Sequence, residues 1–170
     1  MDIYKAYKIP FIGLKVGQHE FEFELGDTFF ESFEHSEITG SDINVDLLLE
    51  KQSTMMVLDF DVYGTVETVC DRCGSKMRVD IDHEDRLIIK YGDQTGTSED
   101  EILVYGTAIH MIELQQYLYE YAHLGLPSRH VHENESDCDQ DALKLLNELR
   151  EEKTEDEDID PRWEGLKGLK

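Results

Sequence analysis

Basic residues are scarce in this chain: sixteen Lys and Arg stand against thirty-nine Asp and Glu, for a formal net charge of −23 over 170 residues. Nucleic-acid backbones are held mainly by Lys and Arg, with counterion release supplying much of the affinity. So acidic a chain is excluded as a general nucleic-acid binder, and a basic protein partner suits its field better. Long apolar runs are missing as well. No stretch approaches the roughly 18 residues of a membrane span, and the first ten residues lack the apolar core of a signal peptide. A cytoplasmic location is expected. Cysteine is sparse, with three residues. An odd count in a reducing compartment argues against a disulfide framework and for metal or redox chemistry. There is no Gly-rich phosphate loop, no Gly-x-Ser-x-Gly elbow and no His-Glu-x-x-His. Nothing positive points to an enzyme.

What is present centres on Val69-Cys70-Asp71-Arg72-Cys73-Gly74. Met56, Leu58, Phe60, Val62 and Val66 lead into it on one parity, and Met77, Val79 and Ile81 lead out. Period-two alternation of this length reads as a half-buried antiparallel hairpin over 53–91. Cys70 continues the incoming apolar parity and Cys73 the outgoing one, so both thiols lean to the inner side of the tip. Two converging thiolates are half of a tetrahedral zinc site.

Residues 3–16 read as a first strand, with Pro10 suggesting an edge. His19, Phe21, Phe23 and Leu25 alternate with acids as a second strand. Asp27 can cap a short helix carrying Phe29, Phe30 and Phe33. Ile43, Val45, Leu47 and Leu49 form another strand. Beyond the hairpin, 92–100 is an acidic loop and 101–105 a short strand. Met111, Leu114, Leu118 and Tyr121 recur at helical spacing, giving a helix over 108–122. Ala142, Leu145, Leu146 and Leu149 mark a second helix over about 139–152.

The sum is α+β: a mostly antiparallel sheet of five or six strands that could curl barrel-like, two C-terminal helices and a Cys-x-x-Cys zinc knuckle. One domain is expected over 1–150. Residues 151–158 read as an acidic, solvated linker, and 159–170 as a short amphipathic anchor. In that anchor Asp160 can cap, Pro161 can take the first helical turn, and Trp163, Leu166 and Leu169 share a side. It docks either on its own domain or on a partner.

The remaining zinc ligands are expected from the segment 128–138: Cys138 and either His130 or His132. The bland alternative makes the cysteines small buried hydrophobes. A thioredoxin-like redox pair would need a helix N-terminus near a βαβ unit, and this pair lies between strands. His19, His83 and His110 read as packed histidines, and His35 and His123 as solvated ones.

The knuckle and the 126–138 segment together resemble the YceD family, the large ribosomal RNA subunit accumulation proteins. The matching residues run in order: Cys70-Asp71-Arg72-Cys73, then Leu126-Pro127, then Val131-His132, then Cys138. Asp160-Pro161 with Leu166 and Leu169 is similar to the family's tail. The resemblance covers most of the chain and favours His132 over His130 as the fourth ligand. It implies a bacterial, cytoplasmic, non-enzymatic role in accumulation of large-subunit (23S) ribosomal RNA and in ribosome assembly. The leading expectation is that the acidic chain binds a basic ribosomal protein or assembly partner. The alternatives are direct RNA contact through Arg72, Lys76, Arg78 and Arg129, and thiol-redox or metal-responsive regulation.

Overall fold

The computed structural model describes residues 3–34, 36, 38–93, 95–97 and 102–152. In chain order the elements are β1 (Lys8–Ile9), β2 (Gly17–Gly26), α1 (Asp27–Phe30), β3 (Thr39–Lys51), β4 (Met55–Val69) and β5 (Lys76–Tyr91). Then follow β6 (Gly96–Thr97), β7 (Leu103–Tyr105), β8 (Ile112–Glu113), α2 (Gln115–Leu124) and α3 (Gln140–Glu152), with short 3-10 turns at Ile3–Tyr7, Phe11–Gly13 and Glu135–Asp137.

The chain forms two compact units. The first takes residues up to Thr68 and Lys76–His130. The second takes Val69–Ser75 and the chain from Val131 onward.

In the first unit six strands form one sheet in the order β2-β3-β4-β5-β7-β6. Its two edges, β2 and β6, do not meet, so the barrel-like closure expected from the sequence is corrected to an open sheet. The alternating residues explain which side is buried. Phe23 lies opposite Val45, Val45 opposite Val62, Leu47 opposite Phe60 and Leu49 opposite Leu58. Val45, Leu47, Leu49, Leu58, Phe60 and Val62 are each at most 2% exposed. Side chains of period two must all share a face in such a register. Phe29 and Phe30 of α1 and Leu118, Tyr121 and Ala122 of α2 join the same core. The two helices are amphipathic elements that bury one stripe on a one-sided sheet.

Gly64 sits where this pattern is most constrained. It pairs with Ile43 beside an irregularity of register in β3 between Thr39 and Asp42. Its φ is +149°, and a Cβ there would lie 2.2 Å from the Asp42 carbonyl oxygen. Only glycine lets β3 and β4 approach so closely.

Other expectations are corrected. The first strand over 3–16 is instead a 3-10 turn, the two-residue β1 and a second 3-10 turn. Lys8 and Ile9 pair with Glu113 and Ile112 in a separate two-stranded sheet. The helix expected from 108 begins at Gln115, because Ile112–Glu113 is recruited as β8 and Leu114 N donates to the Tyr7 carbonyl at 2.9 Å. Met111 is therefore 50% exposed rather than core. β7 runs parallel to β5, with Ile89 opposite Leu103. Asp27 is not the cap of α1. It is the first helical residue, and its Oδ1 accepts from Ser41 N at 2.7 Å and Ser41 Oγ at 3.0 Å. Those two bonds hold its carboxyl below the usual range.

Candidate metal centre

The second unit is built around the link between β4 and β5. Cys70 N donates to the Ser75 carbonyl and Gly74 N to the Cys70 carbonyl, both at 2.8 Å. Gly74 has φ +74°, the left-handed turn residue that closes the loop. This tight turn brings Cys70 and Cys73 to one side. The other half of the site comes from the segment ahead of α3. There Asn134–Cys138 is folded by the Glu135–Asp137 3-10 turn, with Cys138 N donating to the Glu135 carbonyl at 3.2 Å. Asp139 then starts α3: its Oδ1 accepts from Asp141 N at 3.0 Å and Ala142 N at 3.1 Å. Capping of this kind satisfies donors that the first helical turn leaves unpaired.

The result is a cluster of Cys70, Cys73, His132 and Cys138, one ligand atom from each, all within 4.8 Å of one another. His132 Nδ1 is 3.6 Å from Cys138 Sγ and 3.8 Å from Cys73 Sγ. A tetrahedral site with the usual metal–sulfur and metal–nitrogen lengths has a sulfur–nitrogen edge of about 3.6 Å. The donor set and spacing therefore fit a four-coordinate metal ion. Cys70 and Cys138 are 1% and 4% exposed.

The thiols are unequal. Burial pushes the Cys70 thiol up, but backbone N–H groups of His132, Arg72 and Cys73 overcome it and hold it at about 7. The Ser75 hydroxyl, 3.1 Å from Cys73 Sγ, lowers Cys73 against a smaller opposing effect of burial. Burial and the neighbouring cysteines raise Cys138. Two of the three thiols are thus biased toward the thiolate that a metal requires. Arg72 donates to the third, Cys138 Sγ, at 3.8 Å. Three thiolates around a divalent ion leave one net negative charge, and a guanidinium against sulfur offsets it.

Of the expected ligands, Cys70, Cys73, His132 and Cys138 converge. His130 belongs to the first unit, with its Nδ1 3.5 Å from Thr68 Oγ1. Of the basic residues proposed for RNA contact, Arg72 is turned to the cysteine cluster, while Lys76, Arg78 and Arg129 are exposed in the first unit. His19 and His83 are half-buried, as expected for packed side chains, but His110 is exposed. His123, expected in solvent, is half-buried 4.2 Å from the Tyr119 ring, with Nδ1 2.8 Å from the Tyr119 carbonyl. Residues 153–170, including Trp163, Leu166 and Leu169, lie outside the described residues, as does His35.

One surface was not legible as a site. On the outward face of the first unit's sheet, Glu22 lies opposite Asp46 and Asp46 opposite Asp61. All three are exposed. Glu20 and Asp59 flank the row on either side of Leu48. Alternation placed each acid outward, but only the strand order β2-β3-β4 lines them up. Tyr63 feels the row's field. Its hydroxyl donates to Asp46 Oδ2 at 3.3 Å, and the charge of Asp46, then burial, then Asp61 and Glu22 raise its pKa. Among these acids Asp59 is paired, with Arg86.

Three thiols and an imidazole closing on one point form a cluster that could hold a metal ion. A family model described as large ribosomal RNA subunit accumulation protein YceD matches residues 58–170. The chain belongs to that family, whose name ties it to accumulation of large-subunit ribosomal RNA. No curated protein and no solved structure matches the chain. No helix among the described residues is long and apolar enough to cross a membrane.

Proposed function

We propose that this chain is a non-enzymatic, cytoplasmic factor that supports large-subunit RNA accumulation by holding a basic ribosomal protein or assembly partner on its acidic sheet face. The observation that carries this reading is the row Glu22–Asp46–Asp61 across three neighbouring strands. Like charges directly opposite one another in a sheet are destabilising, by up to about 1 kcal/mol per pair. A cationic partner removes that repulsion on binding, and the field of a −23 chain speeds its approach. The knuckle is structural in this reading. Its Cys3His donor set suits zinc, and four protein ligands leave no open position for a catalytic water.

The test is neutralisation of the row by Glu22→Gln, Asp46→Asn and Asp61→Asn together. The triple variant is expected to be as stable as the parent or more so, because repulsion is relieved. It is also expected to lose basic ribosomal proteins from a tagged pull-down at moderate salt. Unchanged recovery of those proteins contradicts the proposal. Recovery of large-subunit RNA after ribosomal proteins are stripped, with steep salt dependence and loss in Lys76→Glu/Arg78→Glu, would establish the direct RNA reading instead.

A further inference from the structure

The helix α3 carries an exposed apolar stripe. Ala142, Leu145, Leu146 and Leu149 recur at helical spacing. Leu145 is 58%, Leu146 41% and Leu149 51% exposed. Three large aliphatic side chains this open on one stripe of a strongly charged chain mark a docking surface. We propose that the occupant is the chain's own segment 159–170, which lays Trp163, Leu166 and Leu169 against α3 of the same molecule.

Three features select this occupant. The first is reach. Six residues, 153–158, separate the end of α3 at Glu152 from Ile159. Six residues reach at most about 20 Å, and Leu145 lies about 10 Å back along the helix axis from residue 152. A tether long enough to reach holds the segment at a high effective concentration, so a modest apolar contact suffices. The second is shape of the sequence: Trp163, Leu166 and Leu169 are spaced to present one apolar side, as the leucines of α3 are. The third is charge. Segment 159–170 has Arg162, Lys167 and Lys170 against Asp160 and Glu164, whereas α3 has four acids against Lys144 and Arg150. A weakly basic segment thus follows a strongly acidic linker and faces an acidic helix.

Trp163 is the sole tryptophan of the chain, so its fluorescence reports this contact alone. In the purified full chain its emission is expected to be blue-shifted, and its quenching by acrylamide reduced, relative to the same chain in denaturant. Both effects are expected to survive about a hundredfold dilution, because the contact is intramolecular. Leu145→Glu/Leu149→Glu is expected to abolish both while helix content by circular dichroism is kept, since Glu and Leu have similar helix propensity. Leu145→Ala/Leu149→Ala is expected to act in the same direction and guards against a purely electrostatic effect. Emission as exposed in the native chain as in denaturant overturns the proposal. Protection lost on dilution overturns it in favour of a second copy. Protection that persists in both double variants overturns it by placing Trp163 elsewhere.

Discussion

Stripping the metal, or replacing one ligand by Cys73→Ser, is expected to unfold the second unit while the first stays folded. The reason lies in what that unit buries. Among its described residues only Cys70 and Cys138 are buried. The hydrophobic core residues all belong to the first unit, from Tyr7 to Ala122. A segment this short, with no apolar core, needs a staple to hold a single structure. The turn at Cys70–Ser75 and the stretch from Val131 to Cys138 meet at the four candidate ligands. Structural zinc in small domains supplies apparent free energies of about 10–16 kcal/mol. Hydrogen exchange read by peptide should therefore show amide protection over residues 131–149 falling by at least about a thousandfold on chelation, with protection of β3 and β4 retained. If the cysteines were only packed small hydrophobes, chelator would do nothing and Cys73→Ser would cost about 1 kcal/mol.

Gly64→Ala is expected to be the most damaging single methyl group in the first unit. At φ +149° a side chain is strained wherever there is space, at roughly 1–3 kcal/mol. Here there is no space: the added Cβ meets the Asp42 carbonyl oxygen at 2.2 Å and the Ile43 Cα at 2.7 Å. Both are backbone atoms of a paired strand, so relief requires β3 and β4 to separate. Strand separation would break the pairs that bury Val45, Leu47, Phe60 and Val62. The expected loss is at least about 3 kcal/mol, the upper end of the strain alone. A denaturant titration measures it, and Gly13→Ala, where nothing lies within 4 Å, is the matched control. Because the same two strands carry Asp46 and Asp61, the variant should also lose partner binding along with stability. That distinguishes it from the neutralised row, which loses binding alone.

The centre of the fold and of the site was legible because both depend on short-range patterns. The parity running from Met56 to Val66 and from Met77 to Ile81 placed the hairpin and aimed both thiols inward. The spacing around Cys138 narrowed the other ligands to that segment, and the resemblance favoured His132, which the structure brings into the cluster in place of His130. What was not legible depends on partners far along the chain. Lys8–Ile9 is a strand because Ile112–Glu113 is there to pair with it, and Ile112–Glu113 is lost to the helix for the same reason. Met111, Leu114, Leu118 and Tyr121 fit a helical stripe, yet pairing overrides propensity at its first turn. The parallel partnership of β5 and β7 leaves no trace in their alternation. Nor does the order of β2, β3 and β4, which alone turns scattered acids into the Glu22–Asp46–Asp61 row. The leucine stripe of α3 was read correctly as a stripe, but periodicity cannot tell a face that is covered from one that waits for cover.

Whether Cys70, Cys73, His132 and Cys138 hold a metal ion is tested most directly by native mass spectrometry of the intact chain. One zinc ion per chain is expected in the parent, with the ion lost in Cys138→Ser and retained in His130→Ala. A parent chain that carries no metal, or one two mass units light through a Cys70–Cys73 disulfide, would contradict metal binding there.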